Sequence, residues 1–454
     1  MQSVWAKTAL LPNGWASDVR VDIDSDGRIS HVERGVIAAD NAADLLLPAP
    51  ANVHSHAFQR AMAGLTERRG PNPSDSFWTW RQLMFRFLDR LTPDHIEAIT
   101  AFVQMEMLEA GYAACAEFHY LHHQPGGVPY DNIAEMSARV AAATTQSKIG
   151  LCLLPVHYEH GGCDGRELTA GQIRFGNDLE QFQRLHNAAE TVVSSLPEDT
   201  TFGVAPHSLR AVGVEALRSY GSHFSSGPIH MHLAEQLREV EEVQTHWGAR
   251  PVEWAIENMG LDKRWCLIHC TQMTPQETVH LAQSGAVAGL CPVTESSLGD
   301  GIFDGVRWLE AQGSIAVGSD SNIRIALSEE LRTLDYSQRL RDGTRAALAS
   351  TEFSTGRRIF EEILRGGAQA TQRKTGRIEA GYWADMLTLD LDNEHMWGRS
   401  SDTALDAWIF AGDDRLVTDV WSAGRHMVRR GQHVARVGIV AAYKRTIDAL
   451  RDVL

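Results

Sequence analysis

Short apolar runs alternate with longer stretches of helical spacing from about residue 45 onward. Each run is apolar enough to form a parallel strand that is covered on both faces. Residues 92–110 illustrate the stretches between them, with Thr as a predicted N-cap, Pro as the first helical residue and apolar residues on a helical period. The eight runs are LLLPAPANVHSH, GYAACAEFHY, KIGLCLLPVHYE, TTFGVAPHS, GPIHMHLAE, RWCLIHC, GAVAGLCPV and SIAVGSDSN. Eight strand-then-helix units predict an α/β fold, a (β/α)8 TIM-like barrel. An open doubly wound sheet is the alternative, but no G-x-G-x-x-G follows the first run.

The two ends of the chain have a different pattern of apolar and polar residues from this middle part. Residues 1–46 and 372–454 contain short β-like runs, such as VRVDI and ADMLTLDL, separated by turns. We predict that both ends together form one small β-sandwich domain. Residues 47–371 then form the barrel. The length of 454 residues suits a large barrel with an appended domain.

The net charge limits the kinds of partner that the protein can have, and the cysteine content indicates the compartment. The chain has 42 Lys and Arg against 58 Asp and Glu, a formal charge of −16, which argues against nucleic acid or a membrane as partner. An anionic substrate must therefore meet locally placed cations. No apolar run is long enough to span a membrane and no leader pattern begins the chain, so we expect a cytoplasmic protein. Six scattered cysteines without a C-x-x-C pair fit a reducing compartment.

Polar residues stand at the ends of several predicted strands, on the face where barrel enzymes carry their active sites. His54 and His56 project to the same side because strand side chains alternate. Three histidines and one aspartate supply the ligand set that a hydrolytic zinc takes. His230 shares the strand face of His232 but lies deeper, and we interpret it as a packed histidine, with a ligand as the alternative. The residues at these strand ends are His54, His56, His232, Glu235, His269 and Asp320.

The motifs HSH, HLAE, IHC and GSDS resemble the amidohydrolase superfamily, as do PAPANVHSHAFQ before the barrel and GRIEAGYWADMLTLD after it. The resemblance covers nearly the whole chain. One branch of that superfamily binds two metals bridged by a carboxylated lysine. No lysine of this chain ends a predicted strand, and Lys148 precedes its strand. The chain therefore resembles the mononuclear, deaminase-like branch.

Finer motifs, HSHAFQRAMAG, SFWTWRQLMF, EFHYLHH and APHSLRAV, resemble the formimidoylglutamate deiminase family. This resemblance implies hydrolysis of the linear amidine N-formimino-L-glutamate to N-formyl-L-glutamate and ammonia, in histidine degradation. It implies one Zn2+ per subunit, although the same ligands also accept Fe2+ or another divalent metal. It also implies a homodimer.

The resemblance further assigns roles to residues. It implies metal binding by His54, His56, His232 and Asp320. It implies catalysis by Glu235, His269 and Asp320. We hypothesise that Asp320 accepts a proton from water, that Glu235 passes one to the leaving nitrogen, and that His269 orients the hydroxide or stabilises the tetrahedral intermediate. Arginine suits bidentate binding of the two substrate carboxylates. The implied substrate-binding residues are Gln59, Arg81, Tyr120, His207 and Arg210.

Other readings stay open at this point. The nearest is another mononuclear deaminase that acts on a purine, a pyrimidine or a guanidino compound. A second keeps the dicarboxylate substrate but releases formamide and glutamate, and a third is a metal-binding module without turnover. The glycine-rich residues 158–178 form either a lid or a passive loop. We interpret His119, His122 and His123 as structural or rim residues.

Overall fold

The structure is a computed structural model of the chain, and it describes residues 2–36, 42–67 and 77–451. Ser76, which opens the motif SFWTWRQLMF, and part of the predicted β domain, residues 37–41, lie outside these ranges. The strands are β1 (Gln2–Leu11), β2 (Gly14–Ile23), β3 (Ile29–Glu33), β4 (Ala43–Pro48), β5 (Ala51–Ser55), β6 (Ala114–His119), β7 (Gly150–His157), β8 (Thr201–Phe202), β9 (Ala205–Pro206), β10 (Ile229–Leu233), β11 (Trp265–His269), β12 (Val287–Leu290), β13 (Ser314–Val317), β14 (Met386–Leu389), β15 (Val417–Ser422), β16 (Arg425–Arg429) and β17 (Gln432–His433).

The helices surround and connect these strands. They are α1 (Phe77–Leu88), α2 (Pro93–Glu109), α3 (Glu135–Ser147), α4 (Leu179–Val193), α5 (Val214–His223), α6 (Leu237–Trp247), α7 (Pro251–Asn258), α8 (Pro275–Gln283), α9 (Pro292–Leu298), α10 (Gly305–Glu310), α11 (Leu327–Asp342), α12 (Thr355–Thr371), α13 (Ser401–Phe410) and α14 (Arg436–Leu450), with short 3-10 helices at Ala57–Met62 and Asp414–Leu416. Within the described ranges, no helix combines the length and the apolar character needed to cross a membrane.

The central strands form a barrel of parallel strands. β5 to β8 pair in chain order, with β9 beside β7, and β10 to β13 pair in chain order. Three single bridges join the two halves of the barrel: Ser55 to Asp320, Val204 to Ile229 and Ser208 to His232. The fourth barrel strand is thus the broken pair β8 and β9. The predicted barrel, including its eight strand runs, is confirmed.

The first predicted run, residues 45–56, forms two strands rather than one. β4 ends at Pro48 and pairs with β1 and β14 in another sheet, whereas β5 begins at Ala51 and belongs to the barrel. Pro48 and Pro50 lack the N–H that a continuing ladder needs, so the chain changes sheets there. The predicted helix at residues 92–110 is confirmed as α2.

Both chain ends meet in one sheet. Its strand order is β17-β16-β15-β14-β4-β1-β2-β3, so strands from the beginning and the end of the chain lie side by side. The C-terminal segment also contributes helices: the rings of Tyr443 on α14 and Phe102 on α2 stack with centroids 3.9 Å apart. The β domain is therefore built from both ends, as predicted in the fold class, while its boundaries at residues 46 and 372 stay a prediction.

Buried ion pairs join the barrel to this sheet. Arg373, which follows α12, is 3% exposed and donates from Nε to Asp385 Oδ2 at 3.0 Å. Its Nη1 lies 3.0 Å from Asp199 Oδ2, and Arg425 of β16 donates to both oxygens of Asp199 at 2.9 and 2.6 Å. Asp199 lies just ahead of β8, so these contacts hold the sheet against the amino-terminal side of the barrel.

Candidate active site

Four predicted metal ligands converge at the carboxyl ends of the barrel strands. His54 and His232 lie on β5 and β10, and their Nε2 atoms are 3.0 Å apart. Asp320, three residues past β13, places Oδ1 3.6 Å from His54 Nε2 and 3.3 Å from His56 Nε2. Bonds of about 2.0–2.2 Å to a tetrahedral metal place ligand atoms about 3.3–3.6 Å apart. The spacing of these donor atoms therefore suits a single metal ion.

The histidines also have the ring orientation and the neutral protonation state that metal ligands need. His56 Nδ1 lies 3.0 Å from the Phe118 carbonyl oxygen, and His232 Nδ1 lies 3.0 Å from the His207 carbonyl oxygen. A hydrogen on Nδ1 that is donated to a carbonyl leaves the Nε2 lone pair for a metal. Burial lowers the pKa of His56 to about 3, and burial with neighbouring imidazoles lowers the pKa of His54 and His232 well below the usual value. The imidazoles are neutral, so this donor set fits a divalent metal.

Two of the predicted catalytic residues adjoin this cluster. His269 Nε2 lies 3.8 Å from Glu235 Oε1 and 3.8 Å from Asp320 Oδ2. On its other side, His269 Nδ1 lies 3.2 Å from Glu295 Oε1, which also accepts the Cys291 N–H at 2.8 Å. Burial lowers the pKa of His269, but the carboxylates around it outweigh burial and raise that pKa to about 10. A proton donor therefore stands beside two carboxylates at the cavity floor.

The backbone turns sharply where these residues leave the strands. Ala234, His269 and Asp320 adopt left-handed conformations, with φ of 50°, 71° and 45°. Non-glycine residues rarely occupy this region, and such residues concentrate at functional sites. Glu235 and Ser321, which directly follow Ala234 and Asp320, line the cavity at the barrel mouth.

All five predicted substrate-binding residues line one cavity, which they share with His56, His232, Glu235, His269 and Asp320. Its empty volume is about 540 Å³, the mouth included. Gln59 Nε2 donates to Tyr120 Oη at 2.8 Å, and Arg210 Nη2 lies 3.5 Å from Glu235 Oε2. The five residues are Gln59, Arg81, Tyr120, His207 and Arg210. Their roles stay predictions, although the structure brings every one of them to the same place.

Residues absent from the predicted set also reach the site. Tyr158 lines the cavity and accepts a hydrogen bond from Arg81, and Glu295 contacts His269. Tyr158 is the last residue but one of the third predicted run, KIGLCLLPVHYE, so the strand-end argument alone would have found it. Glu295 lies on the short helix α9 and carries no such signal. Other wall residues are Trp80, Met84, Phe175, Leu298 and Ser321.

The remaining histidines make structural contacts. His230 Nε2 lies 2.7 Å from the Ala370 carbonyl oxygen, which agrees with its interpretation as a packed histidine. His122 Nε2 lies 2.9 Å from the Val156 carbonyl oxygen, and His123 Nε2 lies 2.9 Å from that of Gly176. His119 is buried, and its ring contacts that of His122.

The glycine-rich segment at residues 158–178 packs on neighbouring elements. Buried Arg174 donates to the carbonyl oxygens of Leu88, Leu91 and His123. Phe175 lines the cavity. This segment therefore forms part of the cavity wall, and its function as a lid stays a prediction.

Known proteins resemble the whole chain. Residues 45–427 match the amidohydrolase family, and residues 1–44 match the family described as formimidoylglutamate deiminase HutF, N-terminal domain. The chain is 43% identical to the formimidoylglutamate deiminase of Pseudomonas aeruginosa, with all of both chains covered.

Solved structures agree with this relationship. The crystal structure of an amidohydrolase from Brucella melitensis is 43% identical with a TM-score of 0.94, covering 99% of this chain and 100% of that one. The crystal structure of an adenosine deaminase from Xanthomonas campestris with bound zinc has a TM-score of 0.81 over 99% of this chain and 98% of that one; at 19% identity it shows the fold alone. The chain therefore belongs to the amidohydrolase family, within it to the formimidoylglutamate deiminases.

Proposed function

We propose that this protein hydrolyses N-formimino-L-glutamate to N-formyl-L-glutamate and ammonia, with one zinc ion held by His54, His56, His232 and Asp320. The observation that carries the proposal is one cavity that contains both a metal-ligand cluster and the guanidinium groups of Arg81 and Arg210. The activity named for the Pseudomonas aeruginosa relative supports the substrate. The bound zinc of the Xanthomonas campestris structure and the histidine-rich donor set support the metal.

The substrate's two carboxylates account for the arginines. A guanidinium presents a planar fork of donors that matches a carboxylate, and a pair of them is needed for a dicarboxylate. Gln59, Tyr120 and His207 add neutral hydrogen-bonding groups to the same wall. With its carboxylates held there, the substrate directs its amidine toward Glu235 and the metal ligands, which fixes the bond that reacts.

The acid-base residues each have a different part in the proton transfers. The metal, when bound, polarises the reacting groups and makes water acidic enough to attack near neutral pH. The Asp320 carboxylate accepts the proton of the water that adds to the formimino carbon. The Glu235 carboxylate takes the remaining proton of that oxygen and passes it to the terminal nitrogen, and that C–N bond breaks to release ammonia and leave the formyl C=O. His269 Nε2 donates a hydrogen bond to the oxygen that gains negative charge.

The alternative deaminases fit the cavity less well. A purine or pyrimidine ring is recognised by stacking and by amide-like hydrogen bonds more than by a pair of arginines. A guanidino compound shares the amidine but not necessarily the two carboxylates. Release of formamide and glutamate would require proton delivery to the substituted nitrogen instead of the terminal one.

Product analysis tests the proposal directly. Zinc-loaded protein is incubated with N-formimino-L-glutamate, and ammonia, N-formyl-L-glutamate, formamide and glutamate are quantified together. We expect ammonia and formylglutamate in equal amounts. Formamide with glutamate would overturn the bond assignment, and turnover of a ring amine without turnover of this substrate would overturn the substrate assignment.

We also propose that the protein is a cytoplasmic homodimer without nucleic-acid or membrane partners, with domain boundaries at residues 46/47 and 371/372. The formal charge of −16 supports the absence of nucleic-acid and membrane partners. Six buried free cysteines support a reducing location. Light scattering on the eluting protein measures the mass, and a monomer mass would contradict the dimer.

A further inference from the structure

Tyr158 is a cavity residue whose phenol makes two hydrogen bonds of known direction. It is 3% exposed, and its ring centroid lies 4.5 Å from that of His207 in the cavity wall. Its Oη accepts a hydrogen bond from Arg81 Nη2 at 2.7 Å and another from Gln172 Nε2 at 2.8 Å. The phenol therefore joins α1, which carries Arg81, to the segment after β7.

Contacts with Thr169 determine the direction of the hydrogen bond between Gln172 and Tyr158. Gln172 Oε1 accepts the Thr169 N–H at 3.0 Å and the Thr169 hydroxyl at 2.8 Å. A backbone N–H only donates, so the amide oxygen faces Thr169 and the amide NH2 faces Tyr158. The guanidinium of Arg81 likewise only donates. Both bonds therefore use the phenol oxygen of Tyr158 as acceptor.

These two donors leave the phenol proton of Tyr158 to point in a third direction. Within the described part of the chain, its hydrogen bonds are the two from Arg81 and Gln172, and neither partner atom can accept a proton. A buried donor without an acceptor is costly. An acceptor supplied by a ligand in the cavity removes that cost.

We infer that Tyr158 binds substrate by donating its phenol proton to a carboxylate oxygen, beside Arg81. This inference rests on the proposed function, because it assigns an additional donor to the same dicarboxylate. The 2.7 Å contact between the phenol and the Arg81 guanidinium places two donors side by side. A carboxylate has about four lone-pair sites, so one carboxylate accepts both donors. A substrate without that carboxylate gives the Tyr158 hydroxyl no acceptor and is rejected.

The test is Tyr158→Phe, which removes the hydroxyl and keeps the ring. Because hydrogen bonds to charged groups are strong, we expect KM for N-formimino-L-glutamate to rise about 10- to 100-fold, with kcat changed by less than about threefold. Tyr220→Phe is the matched control, since the buried Tyr220 hydroxyl lies outside the cavity lining and has no hydrogen-bond partner in the described structure. This control should keep wild-type kinetics.

Substrate analogues identify the carboxylate. N-formimino-γ-aminobutyrate lacks the α-carboxylate, and N-formimino-L-2-aminobutyrate lacks the side-chain carboxylate. We expect Tyr158→Phe and wild type to have equal kcat/KM for one of these two analogues. Equal losses on both analogues and on the full substrate would show a structural role and overturn the inference, as would an unchanged KM.

A double-mutant cycle separates direct binding from support of Arg81. In an Arg81→Ala background, Tyr158→Phe should lower kcat/KM by a further factor of about five or more. No further loss would mean that the phenol acts only by holding Arg81, and would overturn the inference. If wild-type protein fails to release ammonia from N-formimino-L-glutamate, the proposed function itself fails; an active wild type with an unaffected Tyr158→Phe variant refutes this inference alone.

Discussion

At the scale of single residues, the proposed proton transfer and metal binding depend on different atoms of one cluster. His232 contributes Nε2 to the metal-ligand group, 3.0 Å from His54 Nε2. Glu235 is three positions later, yet its carboxylate faces His269 and Arg210 instead of the histidine cluster. The left-handed conformation of Ala234 lies between them. One strand end therefore carries both a proposed metal ligand and a separate proposed acid-base group.

This separation predicts that two substitutions, both of which lower activity, differ in their effect on metal content. Glu235→Gln should lower kcat about 10²- to 10⁴-fold, because general acid-base groups contribute about that much, and should keep the metal. His232→Ala should lose the metal together with activity, since one ligand of four is removed. Elemental analysis and steady-state kinetics measure both quantities. Near-normal turnover by Glu235→Gln would disprove the proton-transfer role.

At the scale of elements, the seam between β5 and the chain after β13 positions the site. Asn52 Nδ2 donates to Ser319 Oγ at 2.7 Å, and Asn322 Nδ2 donates to Ser55 Oγ at 3.1 Å. Ser319 Oγ in turn donates to Asn322 Oδ1 at 2.6 Å. These buried bonds close the barrel at the strand that leads to two of the proposed metal ligands, His54 and His56.

Substitution of Gly318 tests how closely β5 and the chain after β13 pack against each other at this seam. A Cβ added there would lie 2.7 Å from His54 N and 2.8 Å from His54 O. Because overpacking costs about 1–3 kcal/mol, Gly318→Ala should lower the free energy of unfolding by about that amount and reduce metal content. Denaturant titration and elemental analysis check both effects.

Gly438 on α14 is the matched control for this substitution. A Cβ at Gly438 meets nothing within 4 Å, and alanine favours helix. Gly438→Ala should therefore stabilise the protein by about 0.5–1 kcal/mol. Unchanged stability and metal content in Gly318→Ala would show that the seam relaxes more easily than its contacts indicate.

At the scale of the whole molecule, Asp199 couples the barrel to the sheet made by both chain ends. Burial raises the pKa of its carboxyl, but the hydrogen bonds and charges of Arg425 and Arg373 outweigh burial and lower that pKa below its usual value. A lowered carboxyl pKa stabilises the folded state above the unfolded pKa of about 3.9. That stabilisation is lost as the pH falls through the folded-state pKa.

Asp199→Asn should therefore be less stable than wild type at pH 7, by about 3 kcal/mol for a broken buried pair. The difference should shrink as the pH falls below about 4, because protonated Asp199 resembles asparagine. Thermal unfolding across this pH range measures it. Asp164→Asn, at a largely exposed pair with Arg166, should leave the unfolding midpoint unchanged. A difference in stability between wild type and Asp199→Asn that does not change with pH would contradict the coupling.

The barrel and most site residues were predictable because their signals are local. A buried parallel strand reads as an apolar run, and its polar terminus marks the active-site face. His54, His56, His232, His269 and Asp320 all carry that signal. The split of the first run at Pro48 was not recognised, because an apolar run does not say which sheet each half joins. The pairing of β4 with β14 joins residues more than three hundred positions apart.

The sequence by itself determined the order of strands and helices and the chemical types of the side chains at the barrel mouth. Only the tertiary structure decided which atoms meet. The carbonyls of Phe118 and His207 orient two imidazoles, and Gln172 and Arg81 determine where the Tyr158 proton points. Such contacts come from other strands and loops. Distance along the chain carries no information about them, because they form only when the barrel closes.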